Sequence, residues 1–292
     1  MAELDERHGQ HWSLYHGDCC QILPQLPDHS IGLTVFSPPF VNLFTYSDHI
    51  ADMGNSKDNK VFFEHYNFLL KELVRLMKPG RIVAVHCSDL PTMKWRDGEI
   101  GLYDFSGDLI EAHLKAGFVY HSRITIWKSP VVEMQRTKAL GLLYKQLKKD
   151  SIMSRVGMPD YVLLFRAPGD NEVPVAHEEQ DFSLDQWQEW ASPVWMTINQ
   201  TNTLNVIGSR EANDERHIAP LQLDLIERVI RLWSNPGETV LSPFAGIGSE
   251  GYVAVKHQRR FVGVELKRQY FLSAAKNLQA VASERGFFRK RA

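Results

Sequence analysis

Short apolar runs alternate with longer segments of helical spacing along this chain, and this alternation constrains the fold more than any other feature. The run Ile31–Phe36 is apolar and ends at two prolines, whose missing amide protons stop further strand pairing. Val61–Met77 has apolar residues at helical spacing and is followed by Pro79 and Gly80, which predict its end. Strands that alternate with helices form parallel sheets, so we predict an α/β fold.

The same patterns recur along the rest of the chain. They predict strands over Arg81–Cys87, Phe118–Trp127, Tyr161–Phe165, Thr239–Leu241 and Phe261–Val264. They predict helices over Asp104–Ala116, Leu221–Trp233, Gly248–Lys256 and Lys267–Ala280, with a further helix over Leu140–Ile152 as a hypothesis. With 292 residues, the chain is long enough for one large domain, alone or with a small insertion.

The cysteine count and the absence of long apolar runs indicate in which compartment the protein works and whether it holds a structural metal. The three cysteines are too few for a disulfide framework and lack metal-site spacing, so we expect no structural metal. No apolar run approaches the roughly 20 residues that a membrane span needs, and the N-terminus has no apolar signal segment. We therefore expect a cytoplasmic protein without a membrane partner.

Charge is distributed unevenly although the formal net charge is only −2. Nine basic residues and three acidic ones lie between Arg123 and Arg166, whereas seven acidic residues and no Lys or Arg lie between Asp170 and Glu189. A basic segment attracts phosphates, but it is also typical of a solvated helix face. The acidic segment begins near Pro168, Gly169 and Pro174, which indicates a linker.

A glycine turn, Phe244-Ala-Gly-Ile-Gly-Ser-Glu-Gly251, separates a predicted strand from a predicted helix. Gly246 and Gly248 let the backbone turn sharply and approach a ligand, while the helix N-terminus favours a carboxylate or phosphate. Glu265 ends the next strand, where it can accept hydrogen bonds from ribose hydroxyls. The pattern indicates a nucleoside-containing cofactor, although such glycines also occur in turns that bind nothing.

A second motif, Ser37-Pro38-Pro39-Phe40, follows the strand Ile31–Phe36. Ligands of open α/β sheets bind at this end of the strands. The Ser37 hydroxyl and the Pro38 carbonyl can accept hydrogen bonds from an amino group, and Phe40 offers a stacking surface. Alone, a proline pair often only ends a strand.

Together the two motifs resemble the amino-methylating DNA methyltransferases, which combine an S/D/N-P-P-Y/F/W catalytic motif with an F-x-G-x-G cofactor motif. With the catalytic motif first, the order resembles the circularly permuted β class. The resemblance implies a Rossmann-like, S-adenosylmethionine-dependent methyltransferase fold with an inserted target-recognition region. It implies a catalytic half over 11–127, a target-recognition region and acidic linker over 128–215, and a cofactor-binding half over 216–280.

The resemblance also implies residue roles. The catalytic residues are Ser37, Pro38, Pro39 and Phe40. The cofactor-binding residues are Asp18, Ser242, Phe244, Gly246, Gly248 and Glu265. Ser242 departs from the family, which commonly has Asp there, because a serine can hydrogen-bond but carries no charge. We expect DNA contacts from Lys145, Lys148, Lys149 and Arg155, because they form the centre of the basic segment.

The implied reaction transfers a methyl group from S-adenosylmethionine to the amino group of a base flipped out of double-stranded DNA. The serine-led motif favours cytosine N4 over adenine N6. Methylation at cytosine carbon-5 is disfavoured, since no cysteine follows a proline. The alternatives are an oxidoreductase with a nucleotide cofactor and a non-catalytic DNA-binding protein. A homodimer and a cognate restriction endonuclease are further candidate partners.

Overall fold

A computed structural model of the chain describes residues 5–39, 53–56, 58–204 and 220–289. Within them the strands are β1 Glu6–Gly9, β2 Trp12–His16, β3 Ile31–Phe36, β4 Met77–Cys87, β5 Leu90–Pro91, β6 Leu102–Tyr103, β7 Val119–Ile126, β8 Asp160–Arg166, β9 Val194–Trp195, β10 Thr239–Ser242 and β11 Arg260–Glu265. The α-helices are α1 Cys19–Ile22, α2 Asn59–Leu76, α3 Lys94–Asp97, α4 Phe105–Ala116, α5 Pro130–Thr137, α6 Tyr144–Lys149, α7 Leu184–Trp190, α8 Leu223–Trp233, α9 Ser249–Lys256 and α10 Arg268–Arg289. None of these helices combines the length and apolar character needed to span a membrane.

Nine of the strands that the structure describes form one sheet, in the order β1-β2-β11-β10-β3-β4-β8-β7-β9. Within this order, the five neighbouring strands β2, β11, β10, β3 and β4 are parallel to one another. Strand β8 runs antiparallel to both β4 and β7, so β7 points in the same direction as β4. The carboxyl ends of β2, β11, β10, β3 and β4 therefore lie side by side, and we call this border the carboxyl edge.

Helices cover both faces of the sheet. On one face α8, α9 and α10 bury residues such as Leu225, Ala254 and Phe271 against the strands. On the other face α1, α2 and α4 bury residues such as Phe62 and Leu109. Because parallel strands buried on both faces lack a polar side, they are the uninterrupted apolar runs seen in the sequence. The predicted Rossmann-like α/β arrangement is confirmed.

One predicted boundary is wrong. The strand predicted over Arg81–Cys87 begins earlier, at Met77, and so includes Lys78-Pro79-Gly80, because α2 already ends at Leu76. The pairing of β3 with β4 shifts register between Ile31 and Leu33, beside this part of β4. Such an irregularity accommodates a proline, which cannot donate to the ladder.

Residues 127–159 connect β7 to β8, and we call this segment the insertion. The continuous helix predicted over Leu140–Ile152 is wrong. Only Tyr144–Lys149 is α-helical, between two short 3₁₀ turns. The break at Asp150 is stabilised by its own carboxylate, which accepts a hydrogen bond from the Ile152 amide at 3.1 Å.

Residues 128–215, predicted to form the target-recognition region and acidic linker, contribute two strands to the main sheet. Strand β8 lies between β4 and β7, and β9 pairs with β7. The acidic segment is also partly packed, since Phe182 and Trp190 are buried. The Glu189 carboxylate accepts from the Arg228 guanidinium on α8 at 2.8 Å. This part of the segment is therefore not a free linker.

Candidate active site

The glycine turn lies at the carboxyl edge, between β10 and α9. Gly246 and Gly248 have φ of +53° and +86°, in the left-handed region that favours glycine. A Cβ placed on Gly246 meets no atom within 4 Å, whereas one on Gly248 approaches Ala274 of α10 to 3.1 Å. Gly246 thus presents bare backbone to open space, while Gly248 allows α9 and α10 to pack closely.

The Glu265 carboxylate holds this turn in place. Its Oε2 accepts a hydrogen bond from the Gly246 amide at 2.8 Å, and its Oε1 accepts one from the Lys267 amide, also at 2.8 Å. The residue is only 9% exposed. A carboxylate has about four lone-pair directions, more than two amides occupy.

Buried polar groups surround the turn. The hydroxyls of Ser242 and Ser249 are buried and have no hydrogen-bond partner among the described residues. Glu250, in the first turn of α9, is 5% exposed, and burial together with the charge of Glu265 raises its pKa to about 8. At neutral pH its carboxyl is therefore mostly protonated, and it adds no second charge beside Glu265.

Asp18 lies at the same edge, after β2. Its carboxylate caps α1 by accepting from the Cys20 amide at 2.9 Å, and the Gly17 amide donates to the Glu265 carbonyl at 3.0 Å. Asp18, Cys19 and Cys20 place one potential metal ligand each within 4.8 Å of one another. These are consecutive residues, and Asp18 already has a capping role, so the cluster needs no metal to account for it.

The Ser37-Pro38-Pro39 motif follows β3, next to β10 in the sheet. Pro38 is buried, while Ser37 and Pro39 are half-buried. The ring of Phe36 contacts that of Phe244 with centroids 5.7 Å apart, which joins this motif to the glycine turn. Phe40, the fourth predicted catalytic residue, lies outside the described residues.

A chain of polar side chains connects Ser37 to two neighbouring strands. The Ser37 Oγ lies 2.7 Å from Nδ1 of His86, and His86 Nε2 lies 3.1 Å from Asp160 Oδ2. Lys128 Nζ lies 2.5 Å from the same Asp160 oxygen. Burial raises the pKa of Asp160, but the hydrogen bond and charge of His86 and the charge of Lys128 outweigh it, so the pKa is lowered overall.

His86, Asp160 and Lys128 were not predicted as site residues from the sequence. Each borders a strand at the carboxyl edge: His86 near the end of β4, Asp160 at the start of β8, and Lys128 just after β7. A histidine inside the apolar run Ile82–Cys87 is the signal that was available.

The predicted DNA-contacting residues lie in the insertion, whose two ends emerge at the carboxyl edge because β7 ends there and β8 begins there. Lys145, Lys148 and Lys149 are exposed on α6. Arg155 instead donates to the Glu133 carboxylate at 2.7 Å, and the Met158 amide donates to the other oxygen of Glu133 at 2.8 Å. Arg155 is therefore paired within the insertion, whereas the three lysines are exposed.

The model of the N6_N4_Mtase family, described as DNA methylase, matches residues 31–276. The type II methyltransferase M.BglI of Bacillus subtilis is 24% identical over 91% of this chain and 85% of its own length.

Two solved structures share the fold. The first is the Thermus thermophilus protein TTHA0409 complexed with S-adenosyl-L-methionine, which aligns with a TM-score of 0.66 and 22% identity over 93% of this chain and 96% of that chain. The cytosine-N4-specific PvuII DNA methyltransferase aligns with a TM-score of 0.62 and 18% identity over 94% of this chain and 92% of that chain. The chain therefore belongs to the N6/N4 family of DNA methylases and is an S-adenosylmethionine-dependent DNA amino-methyltransferase.

Proposed function

We propose that the target is the N4 amino group of cytosine in double-stranded DNA. The observation that carries the proposal is the placement of Ser37, Pro38 and Pro39 at the end of β3, adjacent to the glycine turn that follows β10. The motif is led by a neutral hydroxyl instead of a carboxylate, and serine-led motifs are typical of N4-cytosine enzymes. The cytosine-N4 specificity of the PvuII enzyme supports the same assignment.

The residues of the carboxyl edge fit S-adenosylmethionine. Gly246 leaves open space beside bare backbone, and the Ser242 hydroxyl, unpaired among the described residues, needs a polar partner. In the proposal Glu265 accepts from the ribose hydroxyls, Phe244 lines the pocket, and Gly246 and Gly248 shape the turn. Asp18 contributes through the loop that it caps. The bound cofactor supplies an activated methyl group, so the protein needs no nucleophile of its own.

The catalytic motif orients the target amino group. Ser37 Oγ and the Pro38 carbonyl accept its two N–H bonds, which turns the nitrogen lone pair out of conjugation with the ring. Pro39 stiffens the turn, and Phe40 stacks on the flipped base. Stacking recovers part of the few kcal/mol that flipping costs. Orientation of two reactants in this way is the main rate contribution.

The chain order supports assignment to the permuted β class. Strand β3, which the catalytic motif follows, precedes the cofactor strands β10 and β11 along the chain, yet it pairs directly with β10. The insertion between β7 and β8 takes the role of the target-recognition region. It emerges at the edge where the flipped base must enter.

We also propose that Lys145, Lys148 and Lys149 contact DNA phosphates. They lie at i, i+3 and i+4 on α6, so they share one face. Arg155, which we expected to join them, contributes instead by holding the insertion together through Glu133.

Methyl transfer from labelled S-adenosylmethionine to duplex DNA tests the proposed function. Ser37→Ala and Phe40→Ala should keep the cofactor affinity and lose most of the transfer, whereas Gly246→Trp should lose cofactor binding. Retained single-turnover transfer in Ser37→Ala would contradict the assigned role. A spectral change on titration with a reduced nicotinamide cofactor, without methyl transfer, would favour the oxidoreductase.

The type II relative supports a restriction–modification setting with a cognate endonuclease. A homodimer stays a prediction, and light scattering of the free protein in solution measures it.

A further inference from the structure

We propose that His86 and Asp160 are positioning residues that orient the Ser37 hydroxyl as an acceptor and provide an exit for the proton that the methylated amino group releases. The inference rests on the proposed function, because it assigns Ser37 to the target amino group.

The direction of each hydrogen bond follows from Asp160, the last residue in the hydrogen-bonded series that begins at Ser37. Asp160 is buried, and its lowered pKa keeps it ionised, so it can only accept. Nε2 of His86, 3.1 Å away, must therefore carry a proton. In a neutral imidazole this leaves Nδ1 as an acceptor, so the Ser37 hydroxyl donates to it across 2.7 Å. The free lone pairs of Ser37 then face the target amino group.

The same arrangement accounts for the proton. During transfer the amino nitrogen donates its lone pair to the methyl carbon, and the carbon–sulfur bond breaks with its electron pair left on sulfur. The nitrogen now carries a positive charge and must lose one proton. That proton moves to Ser37 Oγ while the hydroxyl proton of Ser37 moves to Nδ1 of His86. The resulting imidazolium is stabilised by the Asp160 carboxylate and later releases its proton to water.

Two other elements bring charged groups to His86. Asp160 lies at the start of β8, and Lys128 follows β7 and contacts Asp160 rather than the imidazole. Lys128 therefore holds the carboxylate in its charged form. If His86 is already protonated before reaction, Nδ1 becomes a donor to Ser37, the hydroxyl reverses, and no site for the departing proton remains. The rate should therefore fall at acid pH.

Single-turnover methylation of duplex DNA across a range of pH tests the inference. His86→Phe removes the acceptor at constant bulk and should slow transfer by roughly 10²-fold, the usual size of a general-base effect. Asp160→Asn should also slow transfer, because the imidazolium that forms during the reaction loses the carboxylate that stabilises it. His121→Gln is a matched control, since His121 is an exposed histidine on β7 whose Nδ1 also pairs with a serine hydroxyl, that of Ser122 at 2.9 Å.

A second readout is independent of activity. ¹⁵N NMR of the free protein at neutral pH should show His86 as the Nε2–H tautomer, and Asp160→Asn should weaken that preference. An Nδ1–H tautomer in the wild type overturns the inference, and so does a His86→Phe rate within about twofold of wild type. If His86→Phe fails to fold, the transfer rate of Asp160→Asn and the tautomer of the wild type decide. Absence of methyl transfer by the wild type itself would instead refute the proposed function.

Discussion

Glu265 links three segments of the site. Its two carboxylate oxygens accept from the amides of Gly246 and Lys267, and the carbonyl of the same residue accepts from Gly17. The sequence predicted Glu265 as a ribose contact from its position at a strand end. The two backbone hydrogen bonds were not predictable, because they depend on the path of the glycine turn in three dimensions.

Replacement of Glu265 by alanine should weaken S-adenosylmethionine binding. Loss of buried charged hydrogen bonds costs about 1–3 kcal/mol, and here the turn also loses a support. Isothermal titration calorimetry of Glu265→Ala measures this, with Glu284→Ala as a control at an exposed acid on α10. A wild-type dissociation constant for Glu265→Ala would remove it from the cofactor site.

His113 shows how a buried residue outside the site sets the response of the fold to acid. Its ring stacks on Phe165 with centroids 3.9 Å apart, and its Nδ1 donates to the Leu109 carbonyl at 2.7 Å. Nε2 is buried without a hydrogen-bond partner among the described residues. Burial lowers the pKa of His113 to about 4, so the native state holds the neutral ring.

His113 should therefore make the protein less stable in acid. Its contribution to stability is complete above the unfolded-state pKa of about 6.5 and is lost as the pH falls from there to about 4. The loss amounts to about 3 kcal/mol at 1.36 kcal/mol for each pH unit. Urea unfolding at pH 7.5 and pH 4 measures it. In His113→Phe, which keeps the stacked ring, the free energy of unfolding should change between the two pH values by about that much less than in the wild type. An equal change in the two proteins would contradict the role of His113 in acid destabilisation.

The elements that the sequence predicted well are those buried on the sheet. Strand β3 was predicted with its observed bounds, and α8 and α9 within two residues, because burial forces a continuous apolar run or a helical apolar stripe. The insertion was predicted poorly. Leu140, Tyr144, Leu147 and Ile152 are exposed there, so no buried face enforces one period along Leu140–Ile152.

Within the insertion, α6 carries three lysines that are available to a polyanion. Lys145→Ala, Lys148→Ala and Lys149→Ala combined should weaken binding to specific and unrelated duplexes together, since phosphate contacts carry no sequence information. The slope of log affinity against log salt should fall by roughly 0.9 for each phosphate that the protein no longer neutralises. Fluorescence anisotropy over a salt series measures it.

Arg155 provides a contrast to these lysines within the same insertion. Arg155→Ala should lower the stability of the insertion, because the pair with Glu133 is removed, and should leave the salt slope nearly unchanged. If the triple lysine variant keeps the wild-type slope, α6 does not face DNA, although the catalytic assignment would stand.

At the scale of the whole molecule, the sheet brings distant parts of the chain to one edge. Ser37 and Glu265 were predicted as site residues from the sequence because each belongs to a short motif at a strand end. The contact between His86 and Asp160 spans 74 positions along the chain and depends on the antiparallel insertion of β8 between β4 and β7. No local sequence pattern predicts such a pairing. The contact between His86 and Asp160 could therefore be identified only from the structure.

We propose above all that the protein methylates the amino group of cytosine in DNA, at the carboxyl edge of its sheet. Incubation of the protein with duplex DNA and methyl-labelled S-adenosylmethionine, followed by enzymatic digestion and mass spectrometry of the nucleosides, tests this most directly. We predict labelled N4-methyldeoxycytidine from the wild type and a large loss of that product from Ser37→Ala. Label in N6-methyldeoxyadenosine would contradict the choice of base, and label in 5-methyldeoxycytidine, or in no nucleoside, would contradict the proposed chemistry itself.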